Sequence, residues 1–259
     1  MSKDYIKFLG TAGARFVVAR QLRSSAGTFL SIKGKAIILD PGPGTLVRCA
    51  RAKPPIDATA LDAVVLTHAH IDHSTDVNIL IDAMTGGGTK SRGRLFAPRE
   101  CLEGDNAVVL NYLRGYLERI DVLEASTEYQ LGDLSLSTSV RHRHSVETYG
   151  VTFRTDSRRI SFLVDTQYFP ELADSYAGAD ILVVNVVRHM PREHSDIMHL
   201  NVDDARKIIR SVRPRQAILT HFGMTMLKAK PWEVARNLAE ELGLEVIAAS
   251  DGMSVELGD

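Results

Sequence analysis

The sequence predicts an α/β fold in which two mixed β-sheets, flanked by helices, form a four-layer αββα sandwich. Short apolar runs with strand-like patterns recur in both halves of the chain. Stretches with the apolar spacing of amphipathic helices lie between some of these runs, and glycine and proline residues bound many of them. Periodicity by itself gives only the α/β class, and the two strand-rich halves favour the sandwich.

Five strands and two helices are predicted in the first half of the chain. The strands are apolar and bounded by turn residues, and the helices carry apolar residues at helical spacing. The predicted strands are Tyr5 to Leu9, Thr28 to Ile32, Ala36 to Leu39, Ala63 to Leu66 and Arg94 to Ala97, and the predicted helices are Thr45 to Ala52 and Ser74 to Met84.

The second half repeats the same logic. Asn201 is a good N-cap for one predicted helix, and Pro231 is well suited to the first turn of another. The predicted strands are Leu134 to Val140, Tyr149 to Arg154, Arg159 to Val164, Ile181 to Val186, Gln216 to Leu219 and Leu244 to Ala248, and the predicted helices are Asn106 to Arg119, Asn201 to Ser211 and Pro231 to Leu242.

Length and composition favour one globular domain over residues 1–259. A chain of 259 residues is near the upper limit for a single hydrophobic core. Its 31 basic and 32 acidic side chains give a net charge of -1, which excludes the broad positive field of non-specific nucleic-acid binders. Only two cysteines occur, Cys49 and Cys101, and their separation predicts neither a disulfide framework nor a thiolate metal site.

No signal-peptide pattern and no membrane-length apolar stretch is present in the sequence. We therefore expect a cytoplasmic protein that does not bind membranes.

The most informative segment is Thr67-His68-Ala69-His70-Ile71-Asp72-His73, which follows the apolar strand Ala63 to Leu66. Three histidines and an aspartate at the end of a buried strand crowd nitrogen and oxygen donors around one point. A metal ion compensates such crowding, because neutral imidazoles and carboxylates are its ligands. A histidine-rich surface loop is the structural alternative, and the position between strand and helix favours the metal site.

The segment resembles the HxHxDH signature of the metallo-β-lactamase fold superfamily, and the chain is most similar to its tRNase Z-like and phosphoribosyl cyclic phosphodiesterase-like members. The resemblance covers nearly the whole chain. It also rests on Phe8-Leu9-Gly10-Thr11, on the segment from Ile38 to Gly44, and on Leu219-Thr220-His221-Phe222-Gly223. It implies the metallo-β-lactamase fold for the predicted sandwich.

The resemblance implies a ligand set for two metal ions. The first ion is expected at His68, His70 and His144, the second at Asp72, His73 and His221, and Asp165 is expected to bridge them. His142 lies two residues before His144 and is the competing choice, but the spacing from His144 to Tyr149-Gly150 favours His144. We expect zinc, with manganese and iron as alternatives, because the donors are nitrogen and oxygen only.

The implied activity is metal-dependent hydrolysis by a metal-bridging hydroxide, with Asp72 and His199 as further catalytic residues. Asp72 would orient the hydroxide, and His199, ahead of a predicted helix, would protonate the leaving oxygen. A helix-entry histidine held by backbone contacts is the alternative for His199.

Basic side chains near the motifs form a hypothetical phosphate-binding cluster, although any one of them also fits a solvated surface charge. They are Lys90, Arg92, Arg94, Arg141, Arg143, Arg188 and Arg192.

Three departures from tRNase Z-like sequences favour a small or cyclic phosphodiester over RNA. No long Gly/Pro-rich arm is evident between Arg94 and Leu131, Asn185 stands where a glutamate is common, and Asp76 replaces a usual glycine. A tRNase Z-like endoribonuclease is the alternative. A non-catalytic metal-bound binding or sensing module is the alternative of another class. Similar proteins are often dimers, so a homodimer is a further expectation.

Overall fold

The computed structural model describes residues 4–25, 27–191 and 198–258, which form strands, α-helices and short 3-10 helices. The strands are β1 (Tyr5–Phe8), β2 (Thr28–Ile32), β3 (Lys35–Leu39), β4 (Ala63–Val65), β5 (Arg94–Pro98), β6 (Arg119–Leu123), β7 (Glu128–Leu131), β8 (Leu134–Arg141), β9 (Tyr149–Arg154), β10 (Arg159–Leu163), β11 (Ile181–Asn185), β12 (Gln216–Thr220), β13 (Glu245–Ala248) and β14 (Ser254–Glu256).

The helices vary from single turns to three turns. They are α1 (Ala14–Ala19), α2 (Thr45–Arg51), α3 (Ile71–Ser74), α4 (Val77–Thr85), α5 (Arg99–Leu102), α6 (Asn111–Arg114), α7 (Val202–Val212), α8 (Met224–Lys228) and α9 (Pro231–Leu242), with 3-10 helices at Ala58–Ala60 and Pro170–Tyr176. Within the ranges given above, no helix combines the length and the apolarity needed to cross a bilayer.

The chain divides into two compact units. Unit 1 contains the described residues of Met1–Thr11, Arg23–Leu123 and Asp251–Asp259, and unit 2 contains those of Ala12–Leu22 and Glu124–Ser250. Each unit has a seven-stranded mixed sheet and its own helices, which confirms the prediction of two mixed sheets. The single domain over residues 1–259 stays a prediction.

In unit 1 the strand order is β14-β1-β2-β3-β4-β5-β6. The pairings from β14 to β3 are antiparallel, and those from β3 to β6 are parallel. Apolar side chains of α2, α4 and α5 form one core with the sheet, in which Ile38 and Val64 are fully buried with Leu80. The carboxyl ends of β3 and β4 lie at the same edge because the two strands are parallel neighbours.

Unit 2 follows the same plan in the order β13-β12-β11-β10-β9-β8-β7. The pairings from β7 to β10 are antiparallel, and those from β10 to β13 are parallel. Its core includes apolar residues of α7, α8 and α9. The carboxyl ends of β10, β11 and β12 therefore share an edge, and Asp165, Asn185 and His221 lie there.

Every strand named from the sequence is present, with ends shifted by one residue at most, but the helix expected from Asn106 to Arg119 is wrong. Only Asn111–Arg114 is helical there, and β6 begins at Arg119. The reason is tertiary, because the side-chain amide of Asn78 donates to the Val108 carbonyl and accepts from the Leu110 N–H. These bonds use backbone groups that a helix would need for its own hydrogen bonds.

The N-cap of α7 leads to the first testable expectation. The Asn201 side chain accepts from the N–H groups of Asp203 and Asp204, and the Asp204 carboxylate accepts from the Asn201 N–H, which completes a capping box. Replacement Asn201→Ala should lower the free energy of unfolding by about 1 kcal/mol. Urea unfolding measures this loss, with Glu240→Ala on α9 as the control, and equal stability of the two variants would contradict the role of the cap.

Candidate metal centre

The histidine loop of unit 1 follows β4, as the sequence predicts, and continues into the single turn α3. The helix expected from Ser74 to Met84 is present as α4, which begins three residues later. His68 is fully buried and His73 nearly so, whereas the Asp72 side chain is 21% exposed. The ring centroids of His68 and His73 lie 4.1 Å apart, and those of His68 and His70 lie 4.9 Å apart. The loop therefore gathers three imidazoles and one partly exposed carboxylate.

Asp40 fixes the histidine loop, a role that sequence reasoning missed. Its Oδ1 accepts a hydrogen bond from the Thr67 N–H at 2.7 Å, and its Oδ2 accepts one from the Thr67 hydroxyl at 2.6 Å. The same Oδ2 lies 3.0 Å from Nδ1 of His73, and the Thr67 hydroxyl oxygen lies 3.0 Å from Nδ1 of His68. One carboxylate thus orients His73 directly and His68 through Thr67.

These contacts assign the nitrogen that each imidazole offers to a metal. The Thr67 hydroxyl donates its proton to Asp40, so it accepts from His68, and the His68 proton is on Nδ1. Asp40 accepts from Nδ1 of His73 in the same way. In both rings Nε2 then carries the lone pair, and both Nε2 atoms are buried. Carboxylate–histidine contacts of this kind hold ligands in metal sites.

Gly42 allows two loops of unit 1 to pack closely. A Cβ at Gly42 would lie 2.1 Å from the carbonyl oxygen of Asp72 and 2.2 Å from that of Ser25, so only glycine fits. The Asp76 carboxylate accepts from the N–H groups of Gly44 and Leu46 and so caps α2. Asp76, which the sequence analysis noted in place of a usual glycine, therefore has a structural role as this cap.

Unit 2 gathers its site residues around Asp165, which is nearly buried. Its Oδ1 accepts a hydrogen bond of 2.9 Å from the amide of Asn185. Its Oδ2 lies 3.1 Å from Nε2 of His199 and 3.4 Å from Nε2 of His221. Asn185 thus supports Asp165 of the candidate site, a role that the sequence did not assign to it. The sequence signal that could have indicated this role is the position of Asn185 at the carboxyl end of β11.

His142 and His144 have different surroundings. The Nδ1 of His142 lies 3.1 Å from the carbonyl oxygen of Asp165, and its Nε2 lies 2.7 Å from the Tyr176 hydroxyl, so both nitrogens are engaged. Burial lowers the pKa of His142 to about 4 and raises that of Tyr176, so the neutral hydroxyl donates to Nε2. His144 instead donates from Nδ1 to the Met198 carbonyl oxygen at 3.1 Å, and its choice over His142 as the metal ligand stays a prediction.

Two of the site residues have left-handed backbone conformations. Asp40 has φ 49° and His221 has φ 60°. Such conformations cost roughly 1–3 kcal/mol for non-glycine residues and often occur at functional sites. The backbone of His221 also packs closely against Gly13, since a Cβ at Gly13 would lie 2.1 Å from the His221 carbonyl oxygen.

The structure groups the predicted site residues within each unit. In unit 1, ligand atoms of Asp40, His68 and His73 lie within 4.8 Å of one another, and in unit 2 those of His144 and His199 lie within the same limit of Asp165. Buried imidazoles beside carboxylates suit a divalent cation, since both groups are ligands for zinc, manganese and iron. The assignment of each side chain to a particular ion stays a prediction.

Several of the hypothetical phosphate-binding arginines have structural partners. Arg94 donates to Asp121, and Arg92 donates to the carbonyls of Thr59 and Leu61. Arg143 lies over the Phe169 ring, with its guanidinium carbon 4.6 Å from the ring centroid. These contacts explain the three side chains without a phosphate, and Arg192 lies outside the described residues.

Comparison with known families and proteins shows the family to which the chain belongs. The family model of the beta-lactamase superfamily domain matches residues 35–222. The chain is 31% identical to protein MJ1374 of Methanocaldococcus jannaschii, over 97% of this chain and 94% of that protein. It is 27% identical to ribonuclease Z of Methanopyrus kandleri over 66% of this chain and 56% of that protein. It is also 24% identical to the metal-dependent hydrolase PF1764 of Pyrococcus furiosus, over 86% of this chain and 92% of that protein.

Solved structures confirm the predicted fold. The metallo-beta-lactamase fold protein YhfI of Bacillus subtilis has a TM-score of 0.77 at 17% identity, over 98% of this chain and all of that one. A diphosphatase of the PhnP family has a TM-score of 0.70 at 22% identity, over 99% of this chain and 98% of that one. The chain therefore has the metallo-β-lactamase fold.

Replacement Asp40→Asn tests whether the carboxylate holds the histidine loop for a metal. Both oxygens of Asp40 accept hydrogen bonds, whereas an asparagine amide has only one oxygen. In the variant, the amide NH₂ would therefore face a hydrogen-bond donor of Thr67 or His73. Metal affinity should fall by about 10- to 100-fold. Equilibrium dialysis against a metal buffer measures it, and Asp57→Asn, which changes only the cap of a 3-10 helix, is the control. Equal affinities in both variants would contradict the role given to Asp40.

Proposed function

Because the chain belongs to the beta-lactamase superfamily of metallo-hydrolases, we propose that it is a phosphodiesterase that uses two divalent metal ions to hydrolyse a small or cyclic phosphodiester. The observation that carries the proposal is the donor set. Each unit holds buried or half-buried imidazoles and a carboxylate at the carboxyl ends of parallel strands. Hydrogen bonds at Nδ1 orient three of these imidazoles, at His68, His73 and His144.

The number of donors favours two ions over one. A structural zinc ion takes about four ligands, and a catalytic one takes about three and keeps a position for water or substrate. The ligand set that we propose contains more side chains than a single ion of either kind would bind. It consists of His68, His70, Asp72, His73, His144, Asp165 and His221. No thiolate belongs to it, and we propose zinc as the metal, with manganese and iron as alternatives.

When bound, two such ions produce a nucleophile from water at neutral pH and neutralise the charge on the substrate oxygen. The side chains of this chain have three proposed tasks. Asp72, with its partly exposed carboxylate, orients the attacking water, and Asp165 keeps its position through Asn185. His199 gives a proton to the leaving oxygen, because an imidazole can be protonated near neutral pH.

The similar proteins support a phosphate ester as the substrate. One relative is named a ribonuclease Z and one solved structure a diphosphatase, and both names refer to cleavage at phosphorus. A small substrate is favoured over RNA by the net charge of -1. The stretch from Arg94 to Leu131 supports the same choice, because it folds into β5, α5, α6, β6 and β7 of the structure.

A tRNase Z-like endoribonuclease is the second candidate, supported by the resemblance to ribonuclease Z. A metal-bound binding or sensing module would keep the ions and lack turnover. The homodimer also stays a prediction.

We expect close to two metal ions per chain in protein purified from metal-replete cells. Elemental analysis by inductively coupled plasma mass spectrometry gives the number and the kind of metal. Folded protein without metal would refute the proposed centre. One ion per chain would refute the dinuclear form of it.

Hydrolysis of bis(p-nitrophenyl) phosphate tests the reaction. Protein loaded with zinc, manganese or iron should release p-nitrophenol, and Asp165→Ala should reduce turnover to background because it removes the proposed bridge between the ions. The control is Asp174→Ala, outside the proposed centre, which should keep the activity. Hydrolysis of a thioester or a lactam but not of the diester would keep the metal centre and refute the substrate class.

His199→Gln separates a general acid from a metal ligand. A general acid matters most for a poor leaving group, so the variant should lose about 10²- to 10⁴-fold in kcat on a cyclic alkyl diester and much less on bis(p-nitrophenyl) phosphate. Its metal content should equal that of the unaltered protein. Loss of metal, together with equal loss on both substrates, would show that His199 is a ligand with Asp165 and His144, which lie beside it.

A further inference from the structure

Unit 1 contains a cavity that none of the proposed metal ligands lines. Its volume is about 290 Å³, which is near the lower limit of small-molecule sites. It is lined by Lys7, Leu9, Arg48, Arg51, Ala52, Lys53, Asp251 and Gly252. Four cationic side chains and one carboxylate thus share one small cavity, in a chain whose net charge is -1.

Lys7 is the least expected of these residues. It is only 6% exposed, and lysine is almost never so buried unless it is paired. Its Nζ donates to the carbonyl of Lys53 at 3.3 Å and to the hydroxyl of Ser254 at 2.9 Å. In the part of the chain that the structure describes, no carboxylate forms an ion pair with it. An ammonium group has three N–H donors, so these two contacts leave one for a ligand.

The carboxylate in the cavity is already engaged by other groups. Oδ1 of Asp251 accepts from the Thr11 hydroxyl at 2.7 Å, and its Oδ2 accepts from the Ser24 N–H at 2.6 Å. The nearest guanidinium nitrogen of Arg48 lies 4.0 Å from Oδ2, at the limit of an ion pair. Asp251 therefore offsets one of the four positive charges, and the lining keeps an excess of positive charge.

Two of the cations lie on the same helix, α2. Arg48 and Arg51 lie three residues apart on α2, so they share one face of the helix. The Nε of Arg48 donates to the Leu9 carbonyl at 3.0 Å, which fixes its guanidinium at the wall of the cavity. Their position in the last turn also suits the helix dipole. The dipole explains neither the buried Lys7 nor Lys53, which lies beyond the helix.

We propose that this cavity binds the phosphate group of a small phosphorylated molecule, at a site separate from the metal centre. Guanidinium groups bind phosphate oxygens through two parallel hydrogen bonds, and lysine supplies a compact charge beside them. The cavity volume suits a phosphate or a diphosphate group. The bound phosphate would give the buried Lys7 the anionic partner that the described residues do not supply.

Pyrophosphate binding to the metal-loaded protein tests the site by isothermal titration calorimetry. Arg51→Gln/Lys53→Gln removes two cations, both exposed, from the rim of the cavity. This variant should bind pyrophosphate at the cavity at least about tenfold more weakly, because charge-assisted hydrogen bonds are lost. Any binding at the metal centre should remain, and hydrolysis of bis(p-nitrophenyl) phosphate should stay within about twofold of the unaltered protein.

The control is Lys228→Gln/Arg236→Gln in unit 2, which removes the same charge from two exposed positions outside the cavity. It should bind pyrophosphate as the unaltered protein does. Lys7→Met, checked by urea unfolding, is the second cavity variant and should also weaken binding. Equal affinity in the cavity variants and the unaltered protein would overturn the proposal, as would equal weakening in the control. Metal content and turnover are separate readouts, so failure here leaves the proposed hydrolase untouched.

Discussion

Asp40 accepts hydrogen bonds from the backbone and the hydroxyl of Thr67 and from the imidazole of His73, and the geometry of the histidine loop depends on this carboxylate. Burying an ionised carboxylate beside two imidazoles is unfavourable unless each oxygen is bonded. The bonds to Asp40 meet that requirement and set the tautomers of His68 and His73. The left-handed backbone at Asp40, the close approach at Gly42 and the capping of α2 by Asp76 all belong to the same edge of the sheet of unit 1.

The two units share one arrangement of strands around different candidate site residues. In each sheet, three antiparallel pairings precede three parallel ones, and a carboxylate follows the strand at which the pattern changes. Asp40 follows β3 in unit 1 and Asp165 follows β10 in unit 2. A residue at the end of the neighbouring parallel strand then bonds to the carboxylate, as Thr67 does to Asp40 and Asn185 to Asp165. The similarity gives each unit an anchored carboxylate at one sheet edge, with imidazoles around it.

Two departures from tRNase Z-like sequences have local explanations in the fold. Asp76 accepts backbone hydrogen bonds at the start of α2, a task that a glycine has no side chain to perform. Asn185 donates to Asp165 from a nearly buried position, where a glutamate would bring a second negative charge to the same carboxylate. Each substitution therefore alters the support of the site while the proposed ligands remain.

The sequence by itself determined the strands and the main helices, because apolar periodicity and capping residues act over a few neighbours, as the capping box at Asn201 shows. It also indicated candidate metal-binding residues, since His68, His70, Asp72 and His73 lie within six positions of each other. Only the tertiary structure decided the rest. Asn78 prevented the helix expected at Asn106 to Arg119, and Asp40 and Asn185 acquired their roles from partners 20 to 33 residues away. Hydrogen bonds over such separations depend on strand order, which local patterns do not encode.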